Sequence, residues 1–389
     1  MRCASELAAS QERLMAALNL IATPTPALSE EQRQQLVEST TRFAIASPEG
    51  DGQLTRLLEG LLGPLMQSMT QPLTELERSA GSGGGGAQDA AVVSLRVRLN
   101  DLAAALRPLR AVGKDAYASL LTHVWPVWCR AAAVAPIAPS ALIPPLCAAG
   151  RAGITGAGTA SSPLLQPTIN ALTTTLSAAP SEASCLFDVA NAIFEVFSYT
   201  ETDSGMEASF GSLLDLFSGI VLPLVEKAEE LHYVQKAGAS SCAPALASST
   251  PPLSYDPDEL RGELLSHAGR LGAMMPPALA AASSLPALVT LATTALTSSR
   301  REGPHGVDPA IELLTALSHQ ARAYPAMGPQ AAAVRNDPNS PAAAAAAAVR
   351  GRLSSALDGA AGESLLRGCI VGLADGLPLP SVSRVSHIL

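Results

Sequence analysis

Apolar residues recur along this chain at spacings of three and four. From Leu54 they run Leu54, Leu57, Leu58, Leu61, Leu62, Leu65, Met69, Leu73 and Leu76; from Phe210 they run Leu213, Leu214, Phe217, Ile220, Val221, Leu224, Val225, Ala228 and Leu231. Such spacing gathers the apolar side chains on one face of a helix, whereas a half-buried strand would show strict alternation. The pattern predicts helices over 3–21, 29–46, 53–78, 89–110, 114–134, 140–156, 162–178, 182–199, 206–236, 257–274, 278–298, 308–323, 342–359 and 362–375, with a last fragment from 380. Start signals support three of them: Ser29 before Glu30 and Glu31, Ser181-Glu182, and Asp256-Pro257-Asp258-Glu259. So many amphipathic helices in tandem do not close around one core. The expected architecture is all-α, a HEAT-like helical-repeat superhelix of about seven antiparallel helix pairs. It is read as a single α-solenoid over 1–389, with flexible insertions at 79–88, 237–257 and 328–341, where Gly, Ser, Pro or Asn dominate.

Composition changes this picture in three ways. Hydrophobic residues make up 48% of the 389 but aromatics only 3%, so alanine and leucine must do most of the packing. The net charge of −9, with no basic run beyond Arg300-Arg301, argues against nucleic acid as a direct ligand and fits basic protein partners better. Six cysteines (3, 129, 147, 185, 242 and 369) lie far apart without a Cys-x-x-Cys pair, and read as buried thiols in a reducing compartment. The long uncharged stretches 131–150 and 271–299 are cut by prolines, so no membrane span is expected.

Candidate chemistry is sparse. The six histidines never form His-Glu-x-x-His or pair with cysteine at ligand spacing, so no metal site is expected. Gly156-Ala157-Gly158-Thr159-Ala160-Ser161 is an incomplete glycine fingerprint. It follows a helix instead of a strand and lacks the third glycine, and so reads as an inter-helix turn. No catalytic or cofactor-binding set emerges, and the chain reads as a non-enzyme. Glu226, Glu229 and Glu230 crowd the end of the long helix expected over 206–236, with Asp203 and Glu207 near its start. This cluster is either a solvated face or a contact surface for a basic partner.

The landmarks also have an order. Val124-Trp125-Pro126-Val127 comes first, then Pro163-Leu164-Leu165-Gln166-Pro167, then Ala183-Ser184-Cys185-Leu186-Phe187 leading to Phe194 and Tyr199. Gly211-Ser212-Leu213-Leu214-Asp215 with Leu222-Pro223, Asp256-Pro257-Asp258, Cys369 in an apolar helix and Gly376-Leu377-Pro378 complete it. This succession resembles the C-terminal part of the transportin-SR / importin-thirteen branch of the importin-β nuclear transport receptors. The resemblance implies a HEAT superhelix that carries protein cargo, Arg/Ser-rich or basic nuclear proteins, between cytoplasm and nucleus. It also implies contacts with Phe-Gly nucleoporins, and with Ran GTPase only through N-terminal repeats outside this chain. In that family an arginine-rich helix meets phosphorylated cargo. The corresponding segment is Leu142–Thr155, where Arg151 alone stands at an arginine position, with Ala148 and Thr155 at neighbouring ones. Cargo-binding candidates are therefore Arg151, Asp203, Glu207, Glu226, Glu229 and Glu230. The other reading is a helical-repeat scaffold or adaptor unrelated to transport.

Overall fold

The computed structural model describes residues 28–46, 51–79, 86–111, 113–198, 204–239, 255–297, 307–325, 329–374, 385 and 388. Among these no strand occurs, and nearly all are helical. The chain is all-α. It divides into two compact units, Met1–Phe197 and Ser198–Leu389.

The first unit contains α1 (Glu30–Ala46), α2 (Asp51–Ser79), α3 (Gly86–Leu106), α4 (Lys114–Val134), α5 (Pro139–Ala157), α6 (Leu165–Ala178) and α7 (Ala183–Phe197). Its helices form two rows. α1, α3, α5 and α7 pack in succession, as do α2, α4 and α6, and α2 with α3 and α4 with α5 join the rows. Amphipathic faces wider than a single seam allow each helix to touch both its chain neighbour and the next but one. Ser29 caps α1 reciprocally: its Oγ accepts from the Gln32 N–H at 3.2 Å, and Gln32 Oε1 accepts from the Ser29 N–H at 3.0 Å. Between α1 and α3 the buried Asp101 carboxylate accepts from Arg33 at 2.6 Å and lies 3.5 Å from Arg98. At the outer side Arg130 of α4 grips Glu77 of α2 through two 2.9 Å bonds.

The core between α4 and α5 explains how a chain poor in aromatics uses them. Tyr117, Trp125 and Trp128 are fully buried on α4, and the two indoles stack at 4.8 Å. Each ring faces a glycine of the antiparallel α5: Tyr117 against Gly156, Trp125 against Gly153 and Trp128 against Gly150. A Cβ at these glycines would lie 1.8 to 2.8 Å from the rings, closer than any real contact. The polar tips are satisfied as well. Trp125 donates to Thr168 Oγ1 and Trp128 to the Leu146 carbonyl, both at 2.9 Å, while the Tyr117 hydroxyl lies 3.1 Å from the carbonyls of Leu106 and Ala152. Gly156 is therefore part of a helical packing notch. Only Gly158, at φ +58°, makes the turn that ends α5.

The second unit contains α8 (Ser204–Ala239), α9 (Pro257–Met274), α10 (Pro276–Ala281), α11 (Leu285–Thr297), α12 (Val307–Ala323), α13 (Pro329–Asn336), α14 (Pro341–Leu357) and α15 (Ala360–Ala374). α9, α12 and α14 form one row; α8 packs on α9 and α10, and α11 packs on α12 and α15. Phe210, Leu213, Leu214, Phe217, Val221 and Val225 of α8 are buried. The stretch Glu207–Glu230 is long and apolar enough to cross a membrane by length and composition, and 44% of its most apolar window is buried within the fold. Asp256 caps α9 by accepting from the Asp258 N–H at 2.9 Å, and Ser340 caps α14 by accepting from the Ala343 N–H at 3.2 Å.

Four expectations about element bounds change. The helix expected over 278–298 is two, α10 and α11, because Pro286 opens the second and Ser283-Ser284 leave helical geometry. That corner is held by Asp215 of α8, whose carboxylate accepts from the N–H and Oγ of Ser283 at 3.0 and 2.9 Å and from the N–H of Ser284 at 2.8 Å. The insertion expected at 328–341 contains α13, and that at 79–88 is helical from Gly86. Ser181-Glu182 lies in a 3-10 turn, Pro180–Glu182, without a side-chain cap. The helix over 3–21 and most of the fragment from 380 lie outside the described residues.

Candidate functional site

Arg151 sits on the side of α5 opposite its glycine notch. Gly150, Gly153 and Gly156 face α4, so Ala148, Arg151, Ala152 and Thr155, spaced three and four apart, share the other side. These four residues line an open cleft of about 370 Å³, together with Arg107, Pro144, Cys147, Cys185 and Asp188. All three positions that the arginine-rich segment pointed to (Ala148, Arg151 and Thr155) thus lie on one surface. Thr155 Oγ1 donates to the Arg151 carbonyl at 2.8 Å, as helical threonines do.

Two charged residues that share the cleft with Arg151 come from elsewhere in the chain. Asp188 of α7 stands 4.0 Å from its guanidinium, with both side chains more than half exposed. An ion pair so solvated holds the arginine weakly, at about 0–1 kcal/mol, and leaves it available to a stronger anion. Arg107, in the 3-10 turn Arg107–Ala111 that follows α3, adds a second exposed cation to the cleft. Arg107 carries no local signature, and its place beside Arg151 follows from α3 packing against α5.

The acidic candidates behave differently from one another. Asp203 lies outside the described residues. Glu207 is half-exposed in the first turn of α8. There its charge adds to burial in holding the hydroxyl of Tyr324, just past the end of α12, above the usual tyrosine range. Glu226, Glu229 and Glu230 are exposed near the end of the described α8 surface. Glu229 is committed to a structural tie, accepting at 3.3 Å from the buried Arg261 of α9, which also pairs with Asp258. Glu226 and Glu230, one helical turn apart, remain as an outward acidic pair.

The most perturbed groups outside this cleft sit inside helix interfaces. Burial pushes Asp101 up to about 6 against the pull of Arg33. Burial holds the Tyr117 hydroxyl far above its ordinary value. Burial, assisted by Arg270, lowers His267 to about 3 beneath Phe217, whose ring centre is 5.6 Å away. Among the described residues no group of three or more His, Cys, Asp or Glu side chains is placed to hold a metal ion. What the Arg107–Arg151 cleft offers chemically is two guanidinium forks beside two thiols, a shallow recess for an anionic group. Comparison of the chain with protein-family models and with curated proteins finds no match.

Proposed function

We propose that this chain is the cargo-binding C-terminal half of a nuclear transport receptor of the transportin-SR type, built as a HEAT-like superhelix and working in nucleus and cytoplasm. The observation that carries the reading is the two-row packing of the first unit, in which each helix meets its chain neighbour and the next but one. Stacked helix pairs have this contact pattern, and they present long surfaces on which several shallow contacts add up along an extended partner. The ordered landmarks from Val124 to Pro378 supply the family. The Arg107–Arg151 cleft supplies a place for phosphorylated Arg/Ser-rich cargo, since guanidinium groups bind phosphate through paired, charge-assisted hydrogen bonds. Phe-Gly nucleoporins are the expected second class of partner.

A binding assay with two probes tests this. The purified chain should capture a phosphorylated Arg/Ser-rich peptide and a Phe-Gly nucleoporin fragment. Arg151→Glu should weaken the phosphopeptide roughly tenfold or more, the effect of losing a charged hydrogen bond of about 1.5–3 kcal/mol. Capture of neither probe refutes the transport reading and leaves a helical scaffold for other proteins.

A further inference from the structure

We propose that Cys147 and Cys185 form a reversible redox couple, closed to an intramolecular disulfide by a small anionic disulfide that Arg107 and Arg151 draw into the cleft. Both residues line that cleft. Cys147 is on α5 and Cys185 is in the first turn of α7, two helices in direct contact. Burial, with the charges of Cys185, Asp188 and Glu182 adding to it, holds the Cys147 thiol well above the usual range. A disulfide requires Cα atoms about 4.4–6.8 Å apart, a separation within reach of helices packed directly on each other.

The two sulfurs differ in a way that assigns their roles. Cys185 is half-buried and Cys147 is 5% exposed. Cys185 attacks one sulfur of the incoming disulfide, forming a mixed disulfide and releasing the first small thiol. Cys147 then gives up its proton and attacks the Cys185 sulfur, displacing the second small thiol. The protein dithiol is oxidised by two electrons, the small disulfide is reduced, and the two protein protons leave on the two released thiols. Among the described residues the other two cysteines lack this setting. Cys129 is half-buried and lies off the cleft, and Cys369 is fully buried in the second unit. Closure ties α5 to α7 beside Arg151 and Asp188 and holds the cleft at one width. The couple is independent of what the chain binds.

The test exposes the purified chain to oxidised glutathione, blocks remaining thiols and maps peptides without reduction. The expected result is a peptide pair linked through Cys147 and Cys185, with two thiols lost and recovered by dithiothreitol. Cys147→Ala should stop at a glutathione adduct on Cys185. Replacing Arg107 and Arg151 by Gln should slow the reaction severalfold with oxidised glutathione and leave it unchanged with uncharged hydroxyethyl disulfide. A persistent adduct on Cys185 in the unaltered chain, a link between other cysteines, or no loss of thiols would overturn the couple. Equal slowing with both probes would overturn the role of the arginines.

Discussion

Gly156→Ala is the sharpest test of the packing notch. The added methyl would stand 1.8 Å from Tyr117 Cε1 and 2.6 Å from Cζ. The ring is fully buried and its hydroxyl is fixed near two carbonyls, so it has nowhere to turn. Overpacking a filled core costs about 1–3 kcal/mol, and moving the ring sacrifices hydrogen bonding worth about 1 kcal/mol. Against this, alanine in a helix gains about 1 kcal/mol over glycine. The net expectation is a loss of about 1–3 kcal/mol. With a urea slope of about 1–3 kcal/mol per molar, the midpoint of the first unit's transition, followed by circular dichroism at 222 nm, should fall by roughly 1 M. Two controls isolate the cause. Gly351→Ala, on an exposed face of α14 where the methyl meets nothing within 4 Å, should stabilise by about 0.5–1 kcal/mol. In a Tyr117→Ala background, Gly156→Ala should cost nothing further, a coupling of about 1–3 kcal/mol between the two sites. If Gly156→Ala is as stable as the unaltered chain, or its cost persists without the Tyr117 ring, the glycine does not serve to admit that ring.

Three further outcomes follow from the polar contacts. Asp215→Ala should destabilise the second unit by about 1 kcal/mol through loss of the clamp on Ser283 and Ser284. Burial raises the Asp215 pKa, but the Ser283 and Ser284 hydrogen bonds outweigh it and set it below the usual value; its contribution is present above pH 4 and is lost as pH falls through that lowered value, which urea titrations across pH will read. Asp101 is the opposite case: raised to about 6, it keeps its proton longer folded than unfolded, so stability falls as pH rises from about 4 to 6, and Asp101→Asn should flatten that slope. Glu226→Lys with Glu230→Lys should weaken a basic partner, most at low salt, with little effect on folding; adding Glu229→Lys should also destabilise, because Glu229 pairs with Arg261, and equal stability of the two variants would contradict that tie.

Helix positions were readable because helical periodicity is local. α4 and α9 have the predicted bounds, residue for residue, and most other helices differ by a few residues at their ends. Ser29 and Asp256 worked as starts because a cap involves only residues two or three apart. The break between α10 and α11 was missed: Pro286 marks it locally, but the Asp215 carboxylate that stabilises the corner lies 68 residues away. Gly156 heads the glycine run but packs inside α5. Its sequence neighbours suggest a turn, whereas the ring that requires a glycine there, Tyr117, belongs to another helix.

The candidate site divides along the same line. Arg151 stood out by its place in an ordered set of landmarks, and the sequence by itself determined that it lies on a helix. Tertiary structure decided that α5 turns its glycines toward α4, leaving Arg151 on the open side, and that α3 and α7 bring Arg107, Cys185 and Asp188 to it. It also separated the acids, committing Glu229 to Arg261 while leaving Glu226 and Glu230 outward. The physical reason is range. Backbone hydrogen bonding and apolar spacing act within one or two turns and are written in adjacent residues, whereas the identity of a cleft depends on which faces of distant helices bury each other.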